Sequence, residues 1–187
     1  ISATKGRKLG ASGSLSLWAN GIGAVAVQGD FATHYNNVKT GVYDGLIAFI
    51  TGVYPIKIHE VAPYMTKVDL GAMSIGAITI NKKLFDSMSP ETQKIFRDVG
   101  VEYSQRVSAT MKTLAGVFEK KMGEEGAKIS VFPPAERKKW ATIMPNIAKD
   151  WVKRNEERGV PAKKVLDAYM SKLRAAKVEL VRNWDKE

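Results

Sequence analysis

Apolar positions along the chain change period three times, and each change marks an element. Near the start they alternate or cluster in short runs: Lys8–Ser12 predicts a strand, Ser14–Ile22 a short helix, and "AVAV" at Ala24–Val27 a second strand. Asp30 is placed to cap a helix from Phe31 to Thr40, Gly41 ends it, and "VYDGLIAF" opens the next element. Ser74–Asn81, "SIGAITIN", reads as a further strand, long enough to cross between two parts of the molecule. Short strands alternating with helices predict an open, mostly parallel α/β sheet.

The period then becomes helical. Ser89-Pro90-Glu91 is a helix start, with an N-cap serine, proline at the first helical position and an acid in the first turn. Phe96, Val99, Tyr103, Val107, Met111, Leu114, Phe118 and Met122 follow at intervals of three and four. They predict one helix from Pro90 to Met122, about 50 Å long at 1.5 Å per residue. Its stripe of methionine and aromatic residues reads as core rather than as a cofactor box. Lys128–Phe132 predicts a strand, and Pro134–Glu157 and Pro161–Trp184 predict amphipathic helices separated by Gly159. The expected segments are therefore 1–72, 73–88, 89–122 and 123–187: an α/β unit, a crossing strand with a short helix, the long helix, and a strand with C-terminal helices.

Composition narrows the function classes. The 187 residues are 44% hydrophobic, enough for a packed core, and contain no cysteine, which excludes disulfides and thiolate metal sites. The net charge of +10 permits an acidic partner. The cations are interleaved with acids, however, as in Lys153-Arg154-Asn155-Glu156-Glu157. Even the densest run, Arg137-Lys138-Lys139, has no aromatic platform beyond Trp140, so a solvated helix face is the expectation. Catalytic constellations are sparse. His59-Glu60 begins like a zinc-protease motif, but Pro63 stands where the second histidine belongs, and no serine sits in a nucleophile elbow. His34 and His59 read as structural, and Glu124-Glu125 as a solvated turn. The expectation is a non-enzyme that requires no metal and no cofactor. No apolar run reaches the ~20 residues of a membrane span, and the chain opens abruptly at Ile1, as if cut from a longer protein.

The order of features resembles the periplasmic solute-binding proteins of TRAP transporters, the DctP-like family. The resemblance rests on "KGRKL" (Lys5–Leu9), "GAVAV" (Gly23–Val27), "FATHYNNVKTGVYDG" (Phe31–Gly45), "HEVAPYMTKVD" (His59–Asp69), "INKKLFDSMSPETQKIF" (Ile80–Phe96) and "GVPAKKVLDAY" (Gly159–Tyr169). It implies a periplasmic-binding-protein-like, two-lobed α/β fold of which this chain would be the C-terminal portion: the second lobe, the returning part of the first, and the long inter-lobe helix. Exposed apolar surface is expected wherever the remainder would pack. The implied function is capture of a small organic acid in the periplasm and its delivery to membrane transporter subunits, by a monomer or dimer that binds no nucleic acid.

Two departures from the family pattern bear on the ligand. Where the family has an arginine at the end of the first strand, this chain has Gly10, and where the family has an asparagine after the Asp-Gly block, it has Ala48, next to Phe49. Two polar anchors have become small and apolar, which favours a flat, more apolar acid such as an aromatic carboxylate stacked near Trp18 and Phe49. A carboxylate buried there still needs donors. The turn around Ser12 and Ser14, at the start of a helix, is the expected cradle, the alternatives being a purely structural corner there and an arginine from the rest of the first lobe. The expected ligand-binding set is Gly10, Ser12, Ser14, Trp18, Ala48 and Phe49. The rivals are a basic helical nucleic-acid-binding protein, using Arg137–Lys139 and the C-terminal helices, and a scaffold that packs its long stripe on a partner.

Overall fold

The computed structural model describes residues 1–71 and 76–187. Strand β1 (Lys8–Gly10) leads through a small-residue turn into helix α1 (Leu15–Gly21), and β2 (Val25–Val27) into α2 (Phe31–Lys39). Strand β3 (Gly45–Leu46) precedes the short helices α3 (Ile50–Val53) and α4 (Ile58–Val61). Both neighbours of β1 run parallel to it, giving the order β2-β1-β3 with Gly10 opposite Val27 on one side and Leu46 on the other. A second parallel pair joins β4 (Tyr64–Lys67) to β5 (Lys128–Val131), Tyr64 opposite Lys128. The other helices are α5 (Lys82–Asp86), α6 (Pro90–Glu124), α7 (Pro134–Ile143), α8 (Ile147–Glu156) and α9 (Ala162–Ala175).

Local chemistry sets the helix starts. The Asp30 carboxylate accepts from the Thr33 N–H at 3.0 Å, which satisfies one of the orphan donors of α2. Asn81 does the same for α5 and Ser89 for α6, whose first helical residue is Pro90. Farther along, the expected helix over Pro134–Glu157 is two helices. Met144 is extended and Pro145 has no N–H to donate, so the chain turns there and Asn146 caps α8. The last expected helix stops at Ala175, and Lys177 takes a left-handed φ of 55°. Of the expected crossing strand, Ser74 and Ile75 lie outside the described residues, and 76–81 pairs with no strand among the described residues. Strand β4 has no counterpart in the sequence reading.

Two clusters hold the described residues together. One gathers Ala11, Leu15, Ala19 and Ile22 from the first βα unit against Trp140 of α7 and Met144 just beyond it. The Trp140 indole N–H donates to the Trp18 carbonyl at 3.1 Å, and the Trp18 ring meets Trp140 and Trp184 edge-on at 6.2 and 6.4 Å. Arg182 lies 4.1 Å over Trp184 and donates to the carbonyls of Ala141 and Met144, closing the end of α7. The other cluster is Val53, Ile58 and Met122. It docks only the last turns of α6.

The long stripe is therefore not core along its length, as the periodicity predicted. Met122 is fully buried, and Leu114 and Phe118 are half-buried. Phe96, Val99, Tyr103 and Met111, in contrast, face solvent. Among the described residues the aromatic contact on the first two-thirds of that face is Phe85 of α5, edge-on to Phe96 at 6.3 Å, so regular apolar spacing formed the helix while leaving most of that face exposed.

Glu125 also differs from the solvated turn expected of it. Its carboxylate accepts from the Tyr54 hydroxyl at 2.9 Å and lies 2.7 Å from Nε2 of buried His59. Those two bonds, Tyr54 first, hold its pKa below the usual carboxylate value, while the same bond raises the Tyr54 phenol. Tyr54 is stacked between His59 and Phe118 of α6. The group clasps α4 to the end of the long helix.

Two stability predictions follow from this packing. Met122→Ala removes the one fully buried side chain of α6 and is expected to cost about 2–5 kcal/mol, measured as a lower denaturant midpoint at unchanged slope. His34 is buried to 2% exposure in α2, and desolvation lowers its pKa from 6.5 against a smaller opposing pull from Asp30. The unfolded chain then binds the extra proton first, so stability is fully present above pH 6.5 and falls as the pH drops from 6.5 through the lowered folded value. The melting temperature should fall between pH 7.5 and 5.5. His34→Phe should remove part of that dependence, and an unchanged pH profile would refute the assignment.

Candidate functional site

In an open parallel sheet the loops leaving the carboxyl ends of the strands share one edge, where such folds bind ligands. Here those loops are 11–14 after β1, 28–30 after β2 and 47–49 after β3. Backbone bonds bind them together. Ala11 N–H donates to the Val27 carbonyl at 3.0 Å, and Ile47 N–H to the Gly10 carbonyl at 2.9 Å. The Ser12 hydroxyl adds a third tie, donating to the Gly29 carbonyl at 2.5 Å.

Those bonds alter the expected anion cradle. The hydroxyl proton of Ser12 is committed to Gly29, and the N–H groups of Leu15, Ser16 and Leu17 donate back to Ser12, Gly13 and Ser14. The first turn of α1 is thus largely satisfied by its own carbonyls, as a tight 3-10 start tends to be. The N–H groups of Ser12 and Gly13 find no acceptor among the described residues, and Gly13 reaches its φ of 56° without strain. Ser14 stands at the N-cap position, its backbone already helical.

The expected aromatic pair is split. The ring partners of Trp18 are Trp140 and Trp184, on the side where α7 and the C-terminal segment pack. Phe49 instead meets Phe31 of α2 at 5.5 Å, and both are partly solvent-exposed. Ala48 packs with the Val53–Ile58–Met122 cluster, while Gly10 lies buried beneath the ring of Tyr43. Of the six expected residues, Gly10, Ser12, Ser14, Ala48 and Phe49 are in or next to the three loops, and Trp18 points into the tryptophan cluster.

Four residues outside the expected ligand-binding set, Phe31, His34, Asn37 and Tyr43, complete this region. Phe31 and His34 lie three apart on one face of α2, their rings 5.6 Å apart, and His34 meets Tyr43 at 5.8 Å. Nδ1 of His34 is buried without a partner. Asn37 Nδ2 donates to the Tyr43 hydroxyl at 3.0 Å, one turn farther along α2. The i, i+3, i+6 spacing of Phe31, His34 and Asn37 was available in the sequence. Their meeting with Tyr43 depends on β3 pairing with β1, a contact no local pattern shows.

Two of the three cations of the basic run have an acidic neighbour. Arg137 pairs with Asp69 at 2.8 Å, and Lys139 lies 4.0 Å from Glu136. Among the described residues no group of three or more histidine and carboxylate side chains could hold a metal, and no helix is long and apolar enough to cross a membrane.

Solved structures share this architecture. A TRAP periplasmic solute-binding protein from Desulfovibrio salexigens, with bound orotic acid, superimposes with a TM-score of 0.74 at 22% identity, over 88% of this chain and 55% of that one. The periplasmic ectoine-binding protein of the TeaABC TRAP transporter of Halomonas elongata gives 0.75 at 17% identity, over 92% and 56%. A TRAP periplasmic solute-binding protein from Shewanella oneidensis, with bound succinate, gives 0.67 at 18%, over 81% and 50%. The chain spans about half the length of these structures, and its fold is correspondingly a part of their two-lobed α/β fold. Residues 5–155 match the family model described as DctP, bacterial extracellular solute-binding protein, family 7. With three strands presenting their carboxyl-end loops at one edge and that match covering most of its length, the chain belongs to the bacterial extracellular solute-binding proteins of family 7.

Proposed function

We infer that this chain belongs to a periplasmic receptor that captures a small organic acid and delivers it to a TRAP-type membrane transporter. The observation that carries the reading is the family match over residues 5–155, together with a sheet edge where three loops converge. Receptors of this kind work by cleft closure. Ligand touches both sides of a cleft, binds the closed form more tightly, and shifts the population toward it. Neither a metal nor a cofactor enters that cycle.

The finer reading is an aromatic carboxylate held by Gly10, Ser12, Ser14, Ala48 and Phe49. Three features support it. Gly10 and Ala48 bring no charge to the loops, Phe49 and Phe31 offer exposed ring faces, and the N–H groups of Ser12 and Gly13 remain as donors for a carboxylate. Trp18 contributes from behind, its carbonyl and ring fixing α1 against α7. The solved relatives with orotic acid and with succinate bracket the choice, one ligand being a ring acid and the other a compact dicarboxylate.

Two measurements test this. In a thermal-shift panel of benzoate, succinate and pyruvate, benzoate should raise the melting temperature most, since ligand at 100 times its Kd stabilises by about 2.7 kcal/mol. A rise with succinate alone would refute the aromatic reading and leave the receptor reading intact. Ser12→Ala, which unties the first loop from Gly29, should weaken benzoate binding about fivefold to tenfold, read by calorimetric titration; unchanged affinity would remove this loop from the site.

A further inference from the structure

The space above Gly10 is arranged for one ring. A Cβ at Gly10 would stand 2.8 Å from Cδ2 and Cε2 of Tyr43 and 2.9 Å from Cδ1 of Leu46. A Cβ at Gly29 would collide with the Tyr43 hydroxyl and come within 3.1 Å of Cε1 of His34. Neither glycine has a positive φ, so backbone torsion does not require glycine at either position. Room does. The last residue of β1 and a residue of the loop after β2 both lack a side chain where Tyr43 lies.

Tyr43 is held there firmly. It is 2% exposed, its hydroxyl accepts from Asn37, and its ring packs edge-on against His34. From it a line of rings, Tyr43, His34, Phe31 and Phe49, runs outward at centroid spacings of 5.8, 5.6 and 5.5 Å to the exposed pair at the loop edge. Gly52 extends the pattern at the outer end, where a Cβ would stand 2.7 Å from both phenylalanine rings. The glycines at 10, 29 and 52 thus each leave space to an aromatic side chain of this line.

We propose that Tyr43 is a specificity-determining residue of the ligand site: by filling the space over the carboxyl end of β1 it bars a side chain from position 10 and, itself buried, backs an uncharged aromatic wall whose exposed faces are Phe31 and Phe49. The inference rests on the receptor reading above. Such a wall favours acids that present a ring face, and it penalises compact dicarboxylates, whose second charge would be desolvated without a fixed cation beside it. Selection then comes from what position 10 is prevented from supplying.

The test has one arm without ligand and one with. In the ligand-free arm, Gly10→Ala should lower the melting temperature by roughly 5 °C in the wild-type background, as overpacking does, and by far less in Tyr43→Ala. Equal losses in both backgrounds would overturn the proposal, because Tyr43 would then not be what fills the space. In the ligand arm, Gly10→Arg combined with Tyr43→Ala should gain a melting shift with succinate that the wild type lacks, and a folded double variant with no gain would overturn it. If that variant does not fold, Tyr43→Ala alone decides. The emptied volume should raise the shift given by 1-naphthoate relative to benzoate, and an unchanged ratio counts against the proposal. Absence of any benzoate response in the wild type would instead refute the aromatic-acid reading of the preceding subsection, a different failure.

Discussion

The candidate site depends on one constraint: β1 is a central strand, paired on both edges, and it ends at a residue with no side chain. Because β2 and β3 both run parallel to β1, their carboxyl ends and the loops beyond them must crowd together around Gly10. Crowding three chain segments and a tyrosine ring into that corner needs missing Cβ atoms at Gly10 and Gly29. Backbone groups there are then satisfied across loops, Ala11 to Val27, Ile47 to Gly10 and the Ser12 hydroxyl to Gly29, so each loop holds the next in place. A site built this way is preorganised by the sheet. Little of its order has to be purchased when a ligand arrives.

The long helix follows a different logic. Its N-terminus is well formed, with Ser89 capping and Pro90 leading, yet apart from half-buried Val107 its apolar stripe stays exposed until Leu114. What anchors it is Met122 in the apolar cluster, Phe118 stacked on Tyr54, and Glu125 bonded to both Tyr54 and His59. The exposed stretch from Ile95 to Met111 carries five large apolar or aromatic side chains beyond Ile95 itself, of which Phe96, Val99 and Tyr103 share one face. A chain that spans about half of its structural relatives has reason to show such a face.

Much of this was legible in the sequence wherever the signal was local. The strands at Lys8 and Val25, the Asp30 and Ser89 caps, and the proline-led start of α6 each follow from residues within a few positions of one another. Strand β4 was missed because its four residues, Tyr64–Lys67, carry no alternation long enough to read, and it exists through pairing with β5, 64 residues away. The division of Pro134–Glu157 was readable in principle from Pro145. Apolar periodicity alone hid it, since both halves keep the same face.

The site was half legible, and the missing half has a single physical cause. Sequence shows that Gly10 and Ala48 are small, and from small residues one infers an open pocket. The structure shows that smallness at Gly10 serves the opposite purpose: the vacated volume is filled, by Tyr43 from a turn 33 residues later. The same holds at Gly29, whose absent side chain leaves room for the Tyr43 hydroxyl and the His34 ring together. A glycine that replaces a large side chain is therefore ambiguous until its neighbours across the sheet are known. Packing density in protein interiors argues for a filled site over an empty one. Here the filling group is an aromatic ring with a polar tip; under the proposal above, that ring rather than a side chain on β1 sets the chemistry beside the loops, while the sheet and the bonds between its loops stay in place.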